Sequence, residues 1–521
     1  MTIVKRCGGA IIAALLMHGP GPLAAAGMAI EMGLPFGNEA VLQQQTMTPV
    51  WGWTTPAADV TVRFAGQNIT TTADGKGKWV ARLQPLTADQ VTDPTVAPTG
   101  HTMTITASKN GATVSAAITG ILVGEVWLCA GQSNMGFGLN HVLHAGEEIA
   151  KAQFPAIRTL PVSCKASAVP LEKIRTLPWV SCTPETGKVF SATSYFFARH
   201  LLRELQVPIG LLHVTRGGGL IEPFIAPGGY LASKHLPDER AFVARSLALG
   251  AHQPAGLPAQ ALPSLDPAQP CVGFNGAIWP LIPYAMRGAI WYQGESNAIH
   301  VKPEITTGRD YLYKMEALVA GWRELWGLGD FPFYYVQLAN FGATRKTPEM
   351  GDPTAMIRQA QLDALKIRNS GMAVMLDGNG NIHPPNKQET GQRLALWAMA
   401  KQYGKNDIVF SGPLYKGFRI EGNQIRIEFD HAESGLMVAN KEMLQPAVED
   451  KGARIQWLSI QGKDQVWHWA DGAFDGNDLI VSSGEVSEPI AVRYAYAAKP
   501  TGCNLYNRAG LPAATFTTTN Y

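Results

Sequence analysis

Charge and cysteine are scarce in this chain. Of its 521 residues 16% are Asp, Glu, Lys or Arg, and 43 basic residues are nearly matched by 41 acidic ones. A formal net charge of +2 leaves no basic excess to neutralise the phosphates of nucleic acid and no cationic face for an anionic membrane. The six cysteines, Cys7, Cys129, Cys164, Cys182, Cys271 and Cys503, match no zinc-ligand spacing. No internal repeat, low-complexity tract or long apolar lid segment of the kind a lipase carries stands out. No metal or organic cofactor is called for, and neither nucleic acid nor a membrane is an expected partner.

What is present describes a folded, turn-rich chain. Hydrophobic residues make up 46%, with 54 Gly, 35 Pro and 13 Trp, and the length exceeds what one hydrophobic core usually serves, so two or three domains are expected. Residues 1–26 read as a secretory signal peptide: Lys5 and Arg6, the apolar stretch Ala10 to Met17, then Pro22-Leu23-Ala24-Ala25-Ala26 with cleavage near Ala26. A membrane anchor would need about 20 continuous apolar residues, and His18-Gly19-Pro20-Gly21-Pro22 interrupts the run. The expected location is therefore secreted or periplasmic. Removal of Lys5 and Arg6 brings the formal charge to 2 − 2 = 0. Loss of Cys7 leaves five thiols. Cys164 and Cys182 can bridge a loop in an oxidising compartment, the odd count leaves at least one thiol free, and Cys129 in an apolar strand reads as a small buried hydrophobe.

Periodicity divides the mature chain. From about Met28 to Ile121 short alternating runs such as Val60-Thr61-Val62-Arg63-Phe64 and Lys78-Trp79-Val80-Ala81-Arg82, punctuated by Gly, Asn and Asp, predict an N-terminal β-sandwich over 27–122. Over 123–406 apolar strands (Gly210 to Val214, Gly288 to Trp291, Phe333 to Leu338, Met372 to Leu376) alternate with helical periods (Ser194 to Leu205, Leu312 to Leu325, Ile357 to Ile367, Gln388 to Tyr403). That alternation predicts an α/β domain, a parallel sheet flanked by helices in three layers. Alternating strands return over 407–500 as a β-rich accessory domain, followed by a 501–521 tail expected to pack on the α/β domain.

In such a fold, chemistry sits where strands end and helices begin. Four segments carry polar groups there. In Gly124-Glu125-Val126-Trp127-Leu128-Cys129-Ala130-Gly131-Gln132-Ser133-Asn134, a buried strand runs into a glycine-bounded turn that lifts the Ser133 hydroxyl, and its backbone N–H, out of the sheet edge. Taken alone, a serine in a turn more often bonds its own backbone. Thr215-Arg216-Gly217-Gly218-Gly219 follows a second strand, where glycine lets a backbone N–H approach a ligand, or simply makes a strand-to-helix turn. Trp291-Tyr292-Gln293-Gly294-Glu295-Ser296-Asn297 offers the amides of Gln293 and Asn297 to a developing oxyanion, or to the loop backbone. Asp377-Gly378-Asn379-Gly380-Asn381-Ile382-His383-Pro384 ends on His383, whose imidazole, with an ordinary pKa of about 6.5, suits proton transfer near neutrality.

The four segments together resemble the blocks of the SGNH (GDSL-like) hydrolase superfamily, and more specifically the sialate O-acetylesterase family and related secreted carbohydrate acetylesterases. The resemblance runs over nearly the whole mature chain. Val41-Leu42-Gln43 with Pro49-Val50-Trp51-Gly52-Trp53 is similar to that family's N-terminal β domain. Gly131-Gln132-Ser133-Asn134-Met135, Phe274-Asn275-Gly276, Trp291 to Asn297, and Ile382-His383-Pro384 with Asn386-Lys387 resemble its catalytic blocks, and Asn504-Leu505-Tyr506-Asn507 with Gly510-Leu511-Pro512-Ala513 resembles its C-terminal segment.

The resemblance implies hydrolysis of an acetylated carbohydrate through an acyl-enzyme, with Ser133 as nucleophile and His383 as general base and acid. It implies an oxyanion hole built from the Ser133 and Gly218 backbone N–H groups and an amide, Gln293 first and Asn297 second. One departure stands out. The family's usual acid two or three residues before the histidine is replaced here by Asn381 and Gly380. Asp377, six residues upstream, is the first choice to orient His383, with Glu295 or a backbone carbonyl as alternatives, the last giving a Ser–His dyad. Arg216 and Glu295 are the candidate substrate-binding residues, Arg216 facing sugar hydroxyls or a carboxylate. Sialic acid esters, acetylated xylan and acetylated xyloglucan all fit a secreted chain of this form. A carbohydrate-binding protein with a degenerate hydrolase centre is the reading from a different class.

Overall fold

The computed structural model describes residues 27–519 except 175, 251–265, 301–307, 344–345 and 379. Segment 1–26, expected to be a signal peptide, lies outside the described residues.

Six strands form the central parallel layer: β1 (Ala112–Gly131), β2 (Phe154–Ser163), β3 (Ile209–Thr215), β4 (Gly288–Tyr292), β5 (Phe333–Gln337) and β6 (Ser370–Val374). Their spatial order is β2-β3-β1-β4-β5-β6, every neighbouring pair parallel, with the short strand Val180–Cys182 added antiparallel at the β2 edge. Five of these strands, β1 and β3 to β6, lie where the apolar runs predicted them. β2 is less legible: its side chains Arg158 and Thr159 are buried with the apolar ones, so no run of hydrophobes marks it.

The helices cover both faces. They include α1 (Ser133–Gly136), α2 (Ala192–Leu205), α3 (Glu295–His300), α4 (Asp310–Trp326), α5 (Pro353–Asp363) and α6 (Lys387–Gln402). Alternation along the strands decides which ring faces which layer. On one side Trp127 of β1 meets Phe197 of α2 and stacks on Tyr334 of β5, which tilts against Trp397 of α6. On the other, Trp291 of β4 and Phe333 of β5 pack on Trp322 of α4. Each such ring, withdrawn from water, stabilises the layer by roughly 1.5–3 kcal/mol.

β1 is the organising element. Its first half pairs antiparallel with His101–Lys109, and its second half pairs parallel with Val41–Gln43, β3 and β4, so one 20-residue strand runs from the N-terminal β region into the catalytic sheet. The boundary expected at 122/123 falls inside it. At the end of the sheet away from the strand C-termini, buried Glu125 takes a bidentate bond from Arg287 (2.7 and 2.8 Å) and one from Tyr403 (3.0 Å).

At the N-terminus Thr48–Trp53 pairs with Lys78–Leu83 in a small antiparallel sheet, while Asp59–Phe64, paired with Gln67–Thr72 and with His101–Lys109, continues the sheet of β1. After α6, two four-stranded sheets and one three-stranded sheet follow. The final segment does more than pack on the α/β layer. Leu505–Asn507 pairs with Leu436–Asn440, Phe516–Thr517 pairs with Pro489–Tyr494, and Thr517 N–H also bonds Gln359 of α5 at 2.9 Å. The Cys164–Cys182 bridge is not formed. All five described cysteines are free, and Cys164 and Cys182 each use burial, which pushes the thiols up to about 11 and about 12.

Candidate active site

The polar segments gather at the C-terminal ends of β1, β3 and β4 and in the loop that follows β6. Gly131 ends β1 at φ +147, and a Cβ there would stand 2.2 Å from the Tyr292 carbonyl, so only glycine lets β1 and β4 approach this closely. Gln132 N–H then bonds Tyr292 O (3.0 Å), Gln132 caps α1, and Ser133 becomes the first helical residue. Its backbone N–H, one of the unpaired donors of a helix first turn, has no acceptor among the described residues. The half-buried Ser133 Oγ lies 2.9 Å from His383 Nε2.

His383 is delivered by the loop between β6 and α6. Asn386 caps α6 by accepting from Glu389 N–H (3.1 Å) and donating to the Glu389 carboxylate (3.0 Å), a reciprocal box that fixes the helix start just beyond His383. Asn381 Oδ1 accepts the His383 N–H (3.0 Å), and the imidazole leans on the Phe137 ring, centroids 4.3 Å apart. Burial, with the positive charges of Lys387 and His141, holds the imidazole below its ordinary range, so the neutral base predominates at neutrality.

Asp377 is not beside His383. Its two carboxylate oxygens take a bidentate bond from Arg393 on α6 (2.8 and 2.6 Å), and both side chains are almost fully buried. Among the described residues His383 forms no ion pair with any acid. The Asp lies in a glycine-containing turn, as the sequence implies, but the cation one and a half turns into α6 claims it.

Glu295 reaches the site through an intermediary. Asn134 Nδ2 donates to Glu295 Oε1 and to Ile382 O (2.8 Å), while Asn134 Oδ1 accepts from Lys387 Nζ (2.5 Å). One buried amide thus ties α1, α3, α6 and the peptide unit just before His383. Lys387, also 5.1 Å from the Tyr292 ring centroid, is pushed down to about 7 by burial, against the pull of Glu295. Burial likewise raises Glu295, whose buried Oε2 has no partner among the described residues. Glu295 is 2% exposed, which removes it from the substrate-binding set.

The amides are distributed differently from expectation. Gln293 Nε2 donates to Gly219 O (3.1 Å), Gln132 Oε1 (3.2 Å) and Asn297 Oδ1 (2.7 Å), and its Oε1 accepts from Tyr311 (2.8 Å). Asn297 accepts from Ile221 N–H (3.2 Å) and donates to the Glu222 carboxylate (3.1 and 3.2 Å). The Gln293 amide has no hydrogen left for an oxyanion, and the Asn297 amide is turned to the Glu222 carboxylate. Gln132 differs. Its Oε1 receives Gly294 N–H (3.4 Å), Ser296 N–H (3.3 Å) and the Gln293 amide, and because two of these are backbone donors that atom must be the oxygen. Its Nε2 therefore points the other way, with no partner among the described residues, in a residue that is 3% exposed. In the sequence Gln132 abuts Ser133, and the second segment, Gln293 to Ser296, is rich in donors.

In the glycine turn, Gly219 N–H bonds Arg216 O (3.0 Å) and Gly218 takes φ +66. This geometry leaves the Gly217 and Gly218 N–H groups exposed and without acceptors among the described residues. Arg216 is half-buried and donates to Pro267 O (3.1 Å). The Phe274-Asn275-Gly276 block is scaffolding: Asn275 Nδ2 bonds Ser167 O and Ala168 O (3.2 and 3.1 Å).

Known proteins share this architecture. Residues 280–398, which include the Gln293 to Asn297 segment and His383, match the family model "Carbohydrate esterase, sialic acid-specific acetylesterase". Human sialate O-acetylesterase is 30% identical over 422 residues, 75% of this chain and 74% of its own. The mouse sialate O-acetylesterase is 27% identical over 539 residues, 94% of each chain. The crystal structure of a carbohydrate acetylesterase from Xanthomonas citri superposes with a TM-score of 0.78 at 31% identity, covering 95% of this chain and 100% of that one. The chain belongs to the sialate O-acetylesterase family and is a carbohydrate O-acetylesterase.

Proposed function

We propose that Ser133 and His383 form a catalytic dyad that removes acetyl groups from sialic acid hydroxyls, with an oxyanion hole made of the Ser133 N–H, the Gly218 N–H and Gln132 Nε2. The observation that carries this reading is the 2.9 Å contact between Ser133 Oγ and His383 Nε2. In acylation His383 takes the Ser133 proton as Oγ bonds the acetyl carbonyl carbon. The tetrahedral oxyanion then collapses, and the sugar oxygen leaves with the proton from His383. A water, deprotonated by His383, adds to acetyl-Ser133; collapse releases acetate and returns the proton to Ser133. Sialate is the substrate in the names of the human and mouse relatives, and Arg216, beside the glycine turn, supplies a cation for its carboxylate. Segments 27–122 and 407–500 serve as β domains flanking the 123–406 catalytic domain. Export by a 1–26 signal peptide is part of the same proposal; no helix among the described residues is long and apolar enough to cross a membrane.

Acetate release from O-acetylated sialic acid, acetylated xylan and acetylated xyloglucan tests the reading. Sialate is expected to be the preferred substrate, Ser133→Ala is expected to abolish release, and undiminished release in that variant rejects the nucleophile.

A further inference from the structure

In the C-terminal β region Trp457, Leu458 and Trp469 wall a cavity of about 350 Å³, with Lys346, Arg454 and Asp471 at its rim. Trp469 is 39% exposed, a large ring open to water beside Trp457, which is only 6% exposed and meets it edge-on with centroids 6.1 Å apart. Arg454 and Asp471 form an exposed pair at 2.7 Å. Trp457 has φ +60, a conformation a bulky residue keeps only where its surroundings enforce it, and such residues gather at ligand sites. Here the enforcement is a bond from Trp457 Nε1 to Thr501 O (2.7 Å) and one from Ala495 N–H to Trp457 O (2.9 Å).

The same chain segment touches the catalytic loop. Buried Arg358 of α5 donates to Ala497 O (2.6 Å) and Ala498 O (2.9 Å), and Phe341 N–H bonds Ala498 O (3.1 Å). Lys499 lies against Gly380, three residues before His383, and Thr501 then holds the Trp457 ring. Residues 497–501 therefore connect the wall of this cavity to the loop that carries His383. An apolar aromatic face beside a guanidinium fork and a carboxylate is the grouping that reads a pyranose: the C–H face lies on the ring, and neighbouring hydroxyls accept from the fork and donate to the acid.

We propose that this cavity is an outer sugar subsite, holding a pyranose unit of an oligosaccharide whose acetylated unit lies at Ser133. It rests on the carbohydrate deacetylation described above and extends it from single sugars to glycans. O-acetylated sialyllactose and O-acetylated sialic acid provide the comparison. Trp469→Ala is expected to raise KM for the trisaccharide about tenfold, the loss of one stacked ring, while kcat and both constants for the monosaccharide and an aryl acetate stay unchanged. Trp469→Phe should recover most of the loss, and Arg454→Ala should reproduce part of it. Equal effects on both sugars, or none, overturn the subsite. Calorimetric titration of unacetylated sialyllactose separates the two readings: the unmodified protein is expected to bind it and Trp469→Ala to weaken that binding even if no acetate is released, and binding insensitive to Trp469 or absent rejects the subsite. No acetate from any sugar would count against deacetylation alone.

Discussion

The amide of Gln293 donates to the side-chain carbonyl of Gln132 at 3.2 Å, and this bond, with two backbone N–H groups on the same oxygen, leaves the Gln132 NH₂ without a partner among the described residues. Gln132→Ala should therefore lower kcat with little change in KM. The expected loss is about 10²–10³-fold, the effect of removing one oxyanion donor, read by steady-state rates on an aryl acetate. Retained kcat in this variant would remove Gln132 from the oxyanion hole.

Asp377 belongs to a buried pair with Arg393 rather than to the base. Asp377→Ala should cost about 3–5 kcal/mol of stability by leaving the guanidinium buried and uncompensated, measured by denaturant unfolding. Turnover of the protein that remains folded should stay within a few fold of normal. A loss as deep as that of His383→Ala would restore Asp377 as the orienting acid.

The pH profile follows from the charges around His383. The neutral imidazole is the active form, and its folded-state pKa is depressed, so kcat/KM should hold at full value below the ordinary imidazole value of about 6.5 before falling as the ring protonates. Lys387→Met removes one of the cations that depress it. The acid limb should then move to higher pH, and a limb that stays in place would mean that Lys387 does not help to set it.

Asn134 couples Glu295, Lys387 and the Ile382 carbonyl. Asn134→Ala should destabilise the fold by roughly 1–3 kcal/mol through the buried groups it orphans. With the peptide unit ahead of His383 untethered, kcat should fall on the order of 10²-fold while KM for an aryl acetate changes little, because the loss is in base placement. Thermal unfolding and steady-state kinetics on the same preparation read the two effects.

Much of the fold was legible because local periodicity and burial agree. The apolar runs of β1, β3, β4, β5 and β6 and the 3.6-residue periods of α2, α4, α5 and α6 lie where they were predicted, and the capped start of α6 follows from Asn386-Lys387-Gln388-Glu389. β2, with buried Arg158 and Thr159, hid because its polar groups find partners distant in sequence: Arg158 bonds Glu39 O (2.9 Å). In the site, Ser133 and His383 were readable from their positions at strand and loop ends. The partners of Asp377, Gln293 and Asn297 were not, since each is decided by which donor or acceptor, from Gly219 to Arg393, the tertiary fold brings within about 3 Å.

By itself the sequence determined the layer architecture, the nucleophile and base as candidates, and the family resemblance, because those depend on residue type and on spacing along one element. Only the tertiary structure decided which carboxylate is spent on an arginine, which amide keeps a free hydrogen, and how Asn134 binds four segments into one support for the base. Hydrogen bonds saturate: a group held by one partner is lost to another, and that allocation is settled between elements up to 278 residues apart, as between Glu125 and Tyr403, and not within any one of them.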